Sequence, residues 1–423
     1  MRATPRGTVV KVRSPPVSGL LKGRRPAAVA AAVLALYGAW IGAYLAKGGD
    51  VRDFIRIGTY FIAVGGNRSR EIRLDPGYRP PANQSSGHTR NGYDGQFAYY
   101  IALDPRNARY FLDLPAYRYA RVLQPMAVRA LALGNRGAVP WLLLVVNWLA
   151  IGGGTWALAA WLRRRGLSPA GAALYALLPG TFVGLQRDLT EPLAYGLAIA
   201  AILVLDGRER WRLPAGAALF ALAGLTRQTT LVFPLVYAVL LAVRGGIPGS
   251  AHADAAPSWR RGAALIAIAA GPYVAYSGFL LAWLGSTGLG PNTTRIPFGT
   301  LFAPPFGLWH QGIAFAFVVV PAAAAVVALA PRRSLANPLW LPWLALLANF
   351  LVNIVFYGDY QATTYTAASR LGIGTMISAL LCLPYAGGAV RVRRVWLAAA
   401  AAVAMSPLPV VAVYGFTNAR VPG

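Results

Sequence analysis

Tyr93-Asp94-Gly95-Gln96-Phe97 places a carboxylate beside two glycines, Gly92 and Gly95, directly ahead of the aromatic run AYYIALDP. This motif sits in a polar loop running from roughly residue 47 to 115, between the first hydrophobic segment and all the others. An acidic group held at a membrane face and followed by a lipid-compatible helix suits transfer from a membrane-anchored donor. Glycines beside the carboxylate permit a tight turn and close approach of substrate. Further along, Asp188 and Glu191 stand three residues apart, which puts them on one helical face. Arg187, Arg227 with Gln228, and Arg370 add guanidinium and amide groups at the ends of apolar runs.

These residues need a scaffold, and composition names its class. The chain is 57% hydrophobic and 13% charged, with mean hydropathy +0.49 and repeated apolar runs near 20 residues. This is the pattern of an all-α, polytopic transmembrane protein; a transmembrane β-barrel would show short alternating segments. The net charge of +27 suits nucleic acid only in a soluble protein. Here the basic residues cluster at the ends of apolar runs, so they report topology and no nucleic-acid partner is expected. The single cysteine, Cys382, lies in an apolar run and rules out an internal disulfide or a cysteine-based metal site.

Arg2, Arg6, Lys11, Arg13, Lys22, Arg24 and Arg25 precede the first apolar stretch, which reads as an uncleaved anchor with residues 1–25 in the cytoplasm. Basic clusters at 163–165, 208–212, 260–261, 332–333 and 391–394 should face the same side. Spans near 139–162, 167–184, 190–206, 213–226, 229–243, 262–285, 309–330, 338–357, 371–388 and 395–414 satisfy all of them. With the anchor that makes about eleven in a transmembrane domain over 26–414, with residues 415–423 an external tail. Residues 116–134 resist this count, because a span there would invert the later clusters and sink Arg118, Arg121 and Arg129 to membrane depth. They read as an interfacial helix in a first outer loop of 47–138, apolar side in lipid and arginine heads toward phosphates. Val51 to Val64 reads as a second such helix. The outer face then collects Asp94, Asp104, Arg187, Asp188, Glu191, Arg227, Gln228, Arg295, His310, Asp359 and Arg370. The cytoplasmic loops are short and basic, and neither a Walker-type GxxxxGK[ST] segment nor a dinucleotide-binding glycine motif is present, so ATP-driven chemistry has no support.

YDGQFAYYIALDP, AYRYARVLQP, LLPGTFVGLQRDLTEPLAYGLAIA and LAGLTRQTTLVFPL, in this order, resemble successive motifs of bacterial multi-pass proteins assigned to cell-surface glycopolymer formation. More distantly they resemble the glycosylphosphatidylinositol mannosyltransferases of the GT-C superfamily of membrane glycosyltransferases. The resemblance covers roughly residues 30 to 240. It implies a GT-C-like fold and an inverting glycosyltransferase that takes a polyprenyl-phosphate sugar as donor and a surface glycan or glycolipid as acceptor. On this resemblance Asp94 is the general base, taking the proton of the acceptor hydroxyl as it attacks the anomeric carbon. Arg227, Arg370 and Arg187, in that order, are the candidates to meet the leaving lipid phosphate through paired hydrogen bonds. Asp188 and Glu191, with Gln96 and Gln228, are expected to orient the acceptor or Arg227.

Plainer readings stand beside these roles. Asp94 can be the N-cap of the helix starting near Gln96, and Asp188 or Thr190 a cap with Glu191 near the helix dipole. Arg227 can snorkel to headgroups, and Tyr99 and Tyr100 can anchor at the interface. His310 and Asp359 read more readily as interfacial residues than as ligands. Three carboxylates, Asp94, Asp188 and Glu191, can in principle share a divalent cation. No DxD spacing supports one, so the expectation is metal-independent, with no cofactor. Asn67-Arg-Ser and Asn292-Thr-Thr match the glycosylation triplet, but the Ala, Arg and Gly bias points to a bacterium, where it carries no meaning. The expected location is the bacterial inner membrane, with the site on its outer face. A flippase of lipid-linked glycans is the alternative; it would place charges within spans and repeat its halves. A third possibility is a non-catalytic partner in a glycan assembly complex.

Overall fold

A computed structural model describes residues 24–64, 72–79, 92–207, 209, 211–244, 258–289, 312, 315–331, 339–355 and 365–385. No strand occurs among them, so the all-α expectation holds for the described residues. The helices are α1 (Arg24–Ala46), α2 (Thr59–Val64), α3 (Gly95–Leu103), α4 (Pro115–Tyr119), α5 (Leu123–Ala132) and α6 (Val139–Arg164). They continue as α7 (Ala173–Ala176), α8 (Pro179–Gln186), α9 (Glu191–Leu205), α10 (Arg212–Thr226), α11 (Val232–Arg244) and α12 (Trp259–Leu284). The last three are α13 (Val320–Ala328), α14 (Trp340–Phe350) and α15 (Tyr365–Cys382), with π-helical turns at Phe315–Val319 and Leu351–Val355.

Three helical segments, Arg25–Ala46, Arg136–Arg164 and Trp259–Leu284, are long and apolar enough to cross a membrane, and six shorter apolar helices accompany them. The described residues therefore support a helical membrane protein, while the eleventh expected span, 395–414, lies outside them. Trp141, Leu149 and Trp156 on α6, Leu235 and Val239 on α11, and Val274 and Phe279 on α12 are exposed. Rows of large apolar side chains left open on helix faces fit contact with lipid. Inside, α9 packs on α6 and α10, α12 on α10 and α11, and α15 on α14 and α8.

The expected span at 167–184 is not one helix. Arg165 pairs with Asp206, which caps the far end of α9, while Glu191 opens α9. The chain from Gly166 to Arg187 must therefore travel the length of α9, and it does so in pieces: a 3-10 turn at Pro169–Ala172, then α7, then α8. Pro169 and Pro179 each open a piece, since proline has no N–H to continue the preceding turn yet suits a first helical position. At 15 residues α9 rises only about 22 Å, short of a hydrocarbon core of about 30 Å. Its start is covered by protein: Asp188 and Glu191 are fully buried and Thr190 nearly so.

The segments before α6 form a cover over one end of the bundle. Residues 116–134 make the two short helices α4 and α5, too short to cross, and α5 packs on α3 and α6. Two of their arginines, however, turn inward, Arg118 and Arg121 being buried. Arg129 stays exposed and donates to the carbonyls of Ala102 (3.1 Å) and Leu103 (2.8 Å), which have no partner within α3. Val51 to Val64 forms a 3-10 turn at Val51–Asp53 and, separately, α2. Tyr99 and Tyr100 are core residues rather than interface anchors, both fully buried. The Tyr99 hydroxyl donates to Asp75 Oδ2 (2.6 Å), and Asp75 is ion-paired with Arg52, so a locked triad holds α3 to the segment at 72–79.

Candidate active site

Asp94 immediately precedes α3, yet its side chain makes no capping hydrogen bond and its backbone is already helical. The carboxylate reaches away from the helix instead: Oδ1 lies 3.2 Å from Arg118 Nη1, and Oδ2 accepts from Arg370 Nη2 at 3.3 Å. Two glycines make this approach possible. Gly92 has φ +66°, a conformation most side chains avoid, and a Cβ there would meet the Gly58 nitrogen at 2.5 Å. At Gly95 a Cβ would lie 2.1 Å from the Arg187 carbonyl oxygen, so the start of α3 is pressed on the loop after α8. Gln96 serves this packing, its Oε1 accepting from the Gly58 N–H at 2.9 Å and the Tyr100 hydroxyl at 3.2 Å.

Arg370 comes from α15, 276 residues away in sequence. It donates from Nε to Glu191 Oε1 at 2.5 Å and from Nη1 to the Tyr93 hydroxyl at 3.3 Å. Its position depends on a close crossing of α8 and α15, where a Cβ on Gly180 would lie 2.2 Å from the Ser369 carbonyl oxygen and 2.8 Å from Arg370 Cα. Arg227 pairs with the same Glu191 oxygen at 3.1 Å. Arg118, at the other side, donates to both oxygens of Asp113 (2.7 and 2.6 Å). The result is a chain of alternating charge, Asp113 to Arg118 to Asp94 to Arg370 to Glu191 to Arg227, across one end of the bundle.

A narrow, half-open cavity lies on this chain. Its polar lining is Asp94, Arg118, Arg121, Asp188, Thr190, Glu191 and Arg370. A roomier cavity lies by Arg129, Asn135 and Arg136, but no carboxylate lines it. Burial alone would raise the Asp94 carboxyl; the Arg118, Arg370 and Arg121 charges outweigh it and hold the group well below the usual carboxylate range. Asp188 is the reverse case. Burial pushes its carboxyl well up, with the Asn147 amide alongside as the only counterweight, and neither oxygen meets hydrogen-bond geometry. Asp188 also holds a left-handed backbone, φ 47°. The two carboxyls on this cavity thus shift in opposite directions, Asp94 down beside its arginines and Asp188 up in its burial.

The residues expected from sequence thus divide. Asp94, Arg370, Asp188 and Glu191 share the cavity. Arg227 stands behind Glu191 and does not line it, and Gln228 begins the 3-10 turn beside Arg227. Arg187 lies against the Tyr93 ring (5.7 Å), outside the cavity lining; burial, then the neighbouring Arg56 charge, lowers its guanidinium to about 10. Asp104 terminates α3 away from the cavity. Arg295, His310 and Asp359, and both Asn-x-Ser/Thr triplets, lie outside the described residues. Arg118, Arg121 and Asp113 were not read from sequence as site residues. The available signal was the cost of placing two arginines three apart in an apolar setting, a cost that carboxylate contacts relieve directly for Arg118.

Among the described residues no group of three His, Cys, Asp or Glu side chains is placed to hold a metal ion. Asp94 and Glu191 each face two guanidiniums, so a cation between them would have to displace an arginine. No protein-family profile, curated protein or solved structure matches the chain.

Proposed function

We propose that this protein is a GT-C-like, inverting glycosyltransferase of a bacterial inner membrane, moving a sugar from a polyprenyl-phosphate donor to a surface glycan or lipid-linked acceptor on the outer face. The observation that carries this reading is the meeting of Asp94 and Arg370, from opposite ends of the chain, on one cavity at the end of an apolar helical bundle. In the proposed arrangement the N-terminus is cytoplasmic and about eleven spans cross, so the cavity faces outward. The donor's isoprenoid tail stays in the bilayer and its phosphosugar enters the cavity. The acceptor hydroxyl oxygen bonds to the anomeric carbon, the bond from that carbon to the phosphate oxygen breaks, and the hydroxyl proton passes to Asp94. Charge developing on the departing phosphate is met by Arg370, with Glu191 and Arg227 holding that guanidinium in place. No metal is required in this scheme.

The cost of the buried ion network supports a functional origin. Removing ions from water costs several kcal/mol each, and well-packed apolar residues would be as stabilising or more so. A flippase would need charges along the middle of its spans. The charge chain lies instead at one end.

Purified protein in liposomes, supplied with a polyprenyl-phosphate sugar and a glycolipid extract as acceptor, is expected to release polyprenyl phosphate in step with glycosylated product. Failure to consume any such donor would remove the enzyme reading and leave a carrier or assembly partner.

A further inference from the structure

The strengths of the contacts along the charge chain are unequal. Arg118 is clamped by Asp113 through two bonds of 2.7 and 2.6 Å, and Arg370 by Glu191 at 2.5 Å. Their contacts to Asp94 are 3.2 and 3.3 Å, longer than the 2.7–2.9 Å usual for charge-assisted bonds. Each guanidinium is therefore anchored on one edge and only leans on Asp94 with the other. A third cation completes the ring. Arg121 is buried, lines the cavity, touches the Tyr117 hydroxyl and ring, and has no carboxylate within ion-pair distance among the described residues; its Nε has no hydrogen-bond partner. A buried guanidinium of this kind is stable only with an anion close by. Asp94 is in contact with two of the three arginines and feels the third through space, and Glu191 also acts on Arg121 through space.

We propose that Arg121, Arg118 and Arg370 form a binding site for a phosphate ester or free phosphate, and that the Asp94 carboxylate holds the anion's place until it arrives. This rests on the glycosyltransferase reading only for what the phosphate carries; the site itself follows from the arginines. The donor's phosphodiester, a monoanion, brings two non-bridging oxygens that take over the open edges of Arg118 and Arg370, and the dianionic monoester left after transfer binds there through three. Asp94 then loses its counter-charges and gains a negative neighbour, and both changes make it a stronger base. Donor binding would thus arm the group that must accept the proton.

Binding of farnesyl phosphate, inorganic phosphate and, as uncharged control, farnesol to the full chain in detergent tests this. Wild-type protein is expected to bind farnesyl phosphate and not farnesol. Asp94→Asn, which removes the competing charge, is expected to bind farnesyl phosphate roughly tenfold tighter. Arg121→Gln, which breaks no ion pair, is expected to bind it roughly tenfold more weakly with the unfolding temperature unchanged or raised. Equal affinity for inorganic phosphate would support the site and assign it a free anion rather than a lipid headgroup. Unchanged or weaker binding in folded Asp94→Asn, or unchanged binding in Arg121→Gln, would overturn the proposal. Sugar transfer by wild-type protein alongside such a result sinks this inference alone; tightened binding with no transfer from any polyprenyl-phosphate sugar sinks the enzyme reading alone.

Discussion

At Asp94 the capping and catalytic roles part at a single substitution. Asparagine caps a helix about as well as aspartate, and the Asp94 side chain makes no capping bond in any case, so Asp94→Asn should leave α3 in place. It cannot accept a proton, and transfer should fall by about 10²–10⁴. Normal product from folded Asp94→Asn protein would end its role as base. Asp188 makes a different prediction, because its carboxyl is raised in the folded state. Below its unfolded pKa, about 3.9, both states hold the proton and pH has no effect. As pH climbs from there through the raised folded value, the unfolded chain ionises first and stability is lost. Asp188→Asn removes this penalty, so its thermal unfolding midpoint should exceed that of wild type by more near pH 8 than near pH 4, approximately. Equal differences at both would mean that Asp188 is ionised and paired. For Asp94 the sign is opposite: its stabilisation is present above the ordinary carboxylate pKa and fades as pH falls below it.

Among the elements, the crossing of α8 and α15 decides where Arg370 sits. Gly180→Ala would press a methyl group into the Ser369 carbonyl oxygen and Arg370 Cα, backbone atoms that cannot swing aside. The helices must part by about 1 Å, a displacement of the kind that costs on the order of 100-fold in a positioned site. Transfer should drop accordingly, with donor KM rising, while the membrane-inserted yield stays measurable. A Gly180→Ala variant with wild-type kinetics would show that α15 does not need this contact. The sequence carried only part of this. The turn from Asp188 to Glu191 was legible as a helix start, and Asp94 as a residue set apart by its glycines, whereas Gly180 fell inside the expected span 167–184. That Arg227 backs Glu191 while Arg370 reaches the cavity was not legible, since both stand alike at helix ends and only packing separates them. The inward turn of Arg118 and Arg121 was hidden for the same reason: Asp113 and Asp94 are local in sequence to α4, but nothing in the spacing says which side of that helix they cover.

For the whole molecule, the two ends of α9 act as a ruler. Glu191 marks one end with the charge chain; Asp206 marks the other, bonded to Arg165, which also donates to the Tyr385 hydroxyl at 2.6 Å. The basic clusters predict which end is cytoplasmic. Reporters fused after Arg165, Arg212 and Arg333 should read cytoplasmic, and one fused near Ser85 should read external. An external signal after Arg165 would reverse the outer-face assignment of the cavity. Fold class and the apolar segments were readable from hydropathy because lipid contact demands continuous apolar runs. The broken crossing between Gly166 and Arg187 was not, because its pieces add up to the same hydropathy as one helix.

The span in sequence between Asp94 and Arg370 also sets a clock. A ribosome working at roughly 5–20 residues per second needs on the order of a quarter to one minute to travel from one to the other. Throughout that interval α3, α6 and α9 can already be inserted, with Glu191 holding Arg227 but still waiting for its second guanidinium. The nascent chain is therefore a membrane protein well before it has a complete site. Any product that ends before Arg370 lacks the second guanidinium on Glu191 and the one that Asp94 meets from α15.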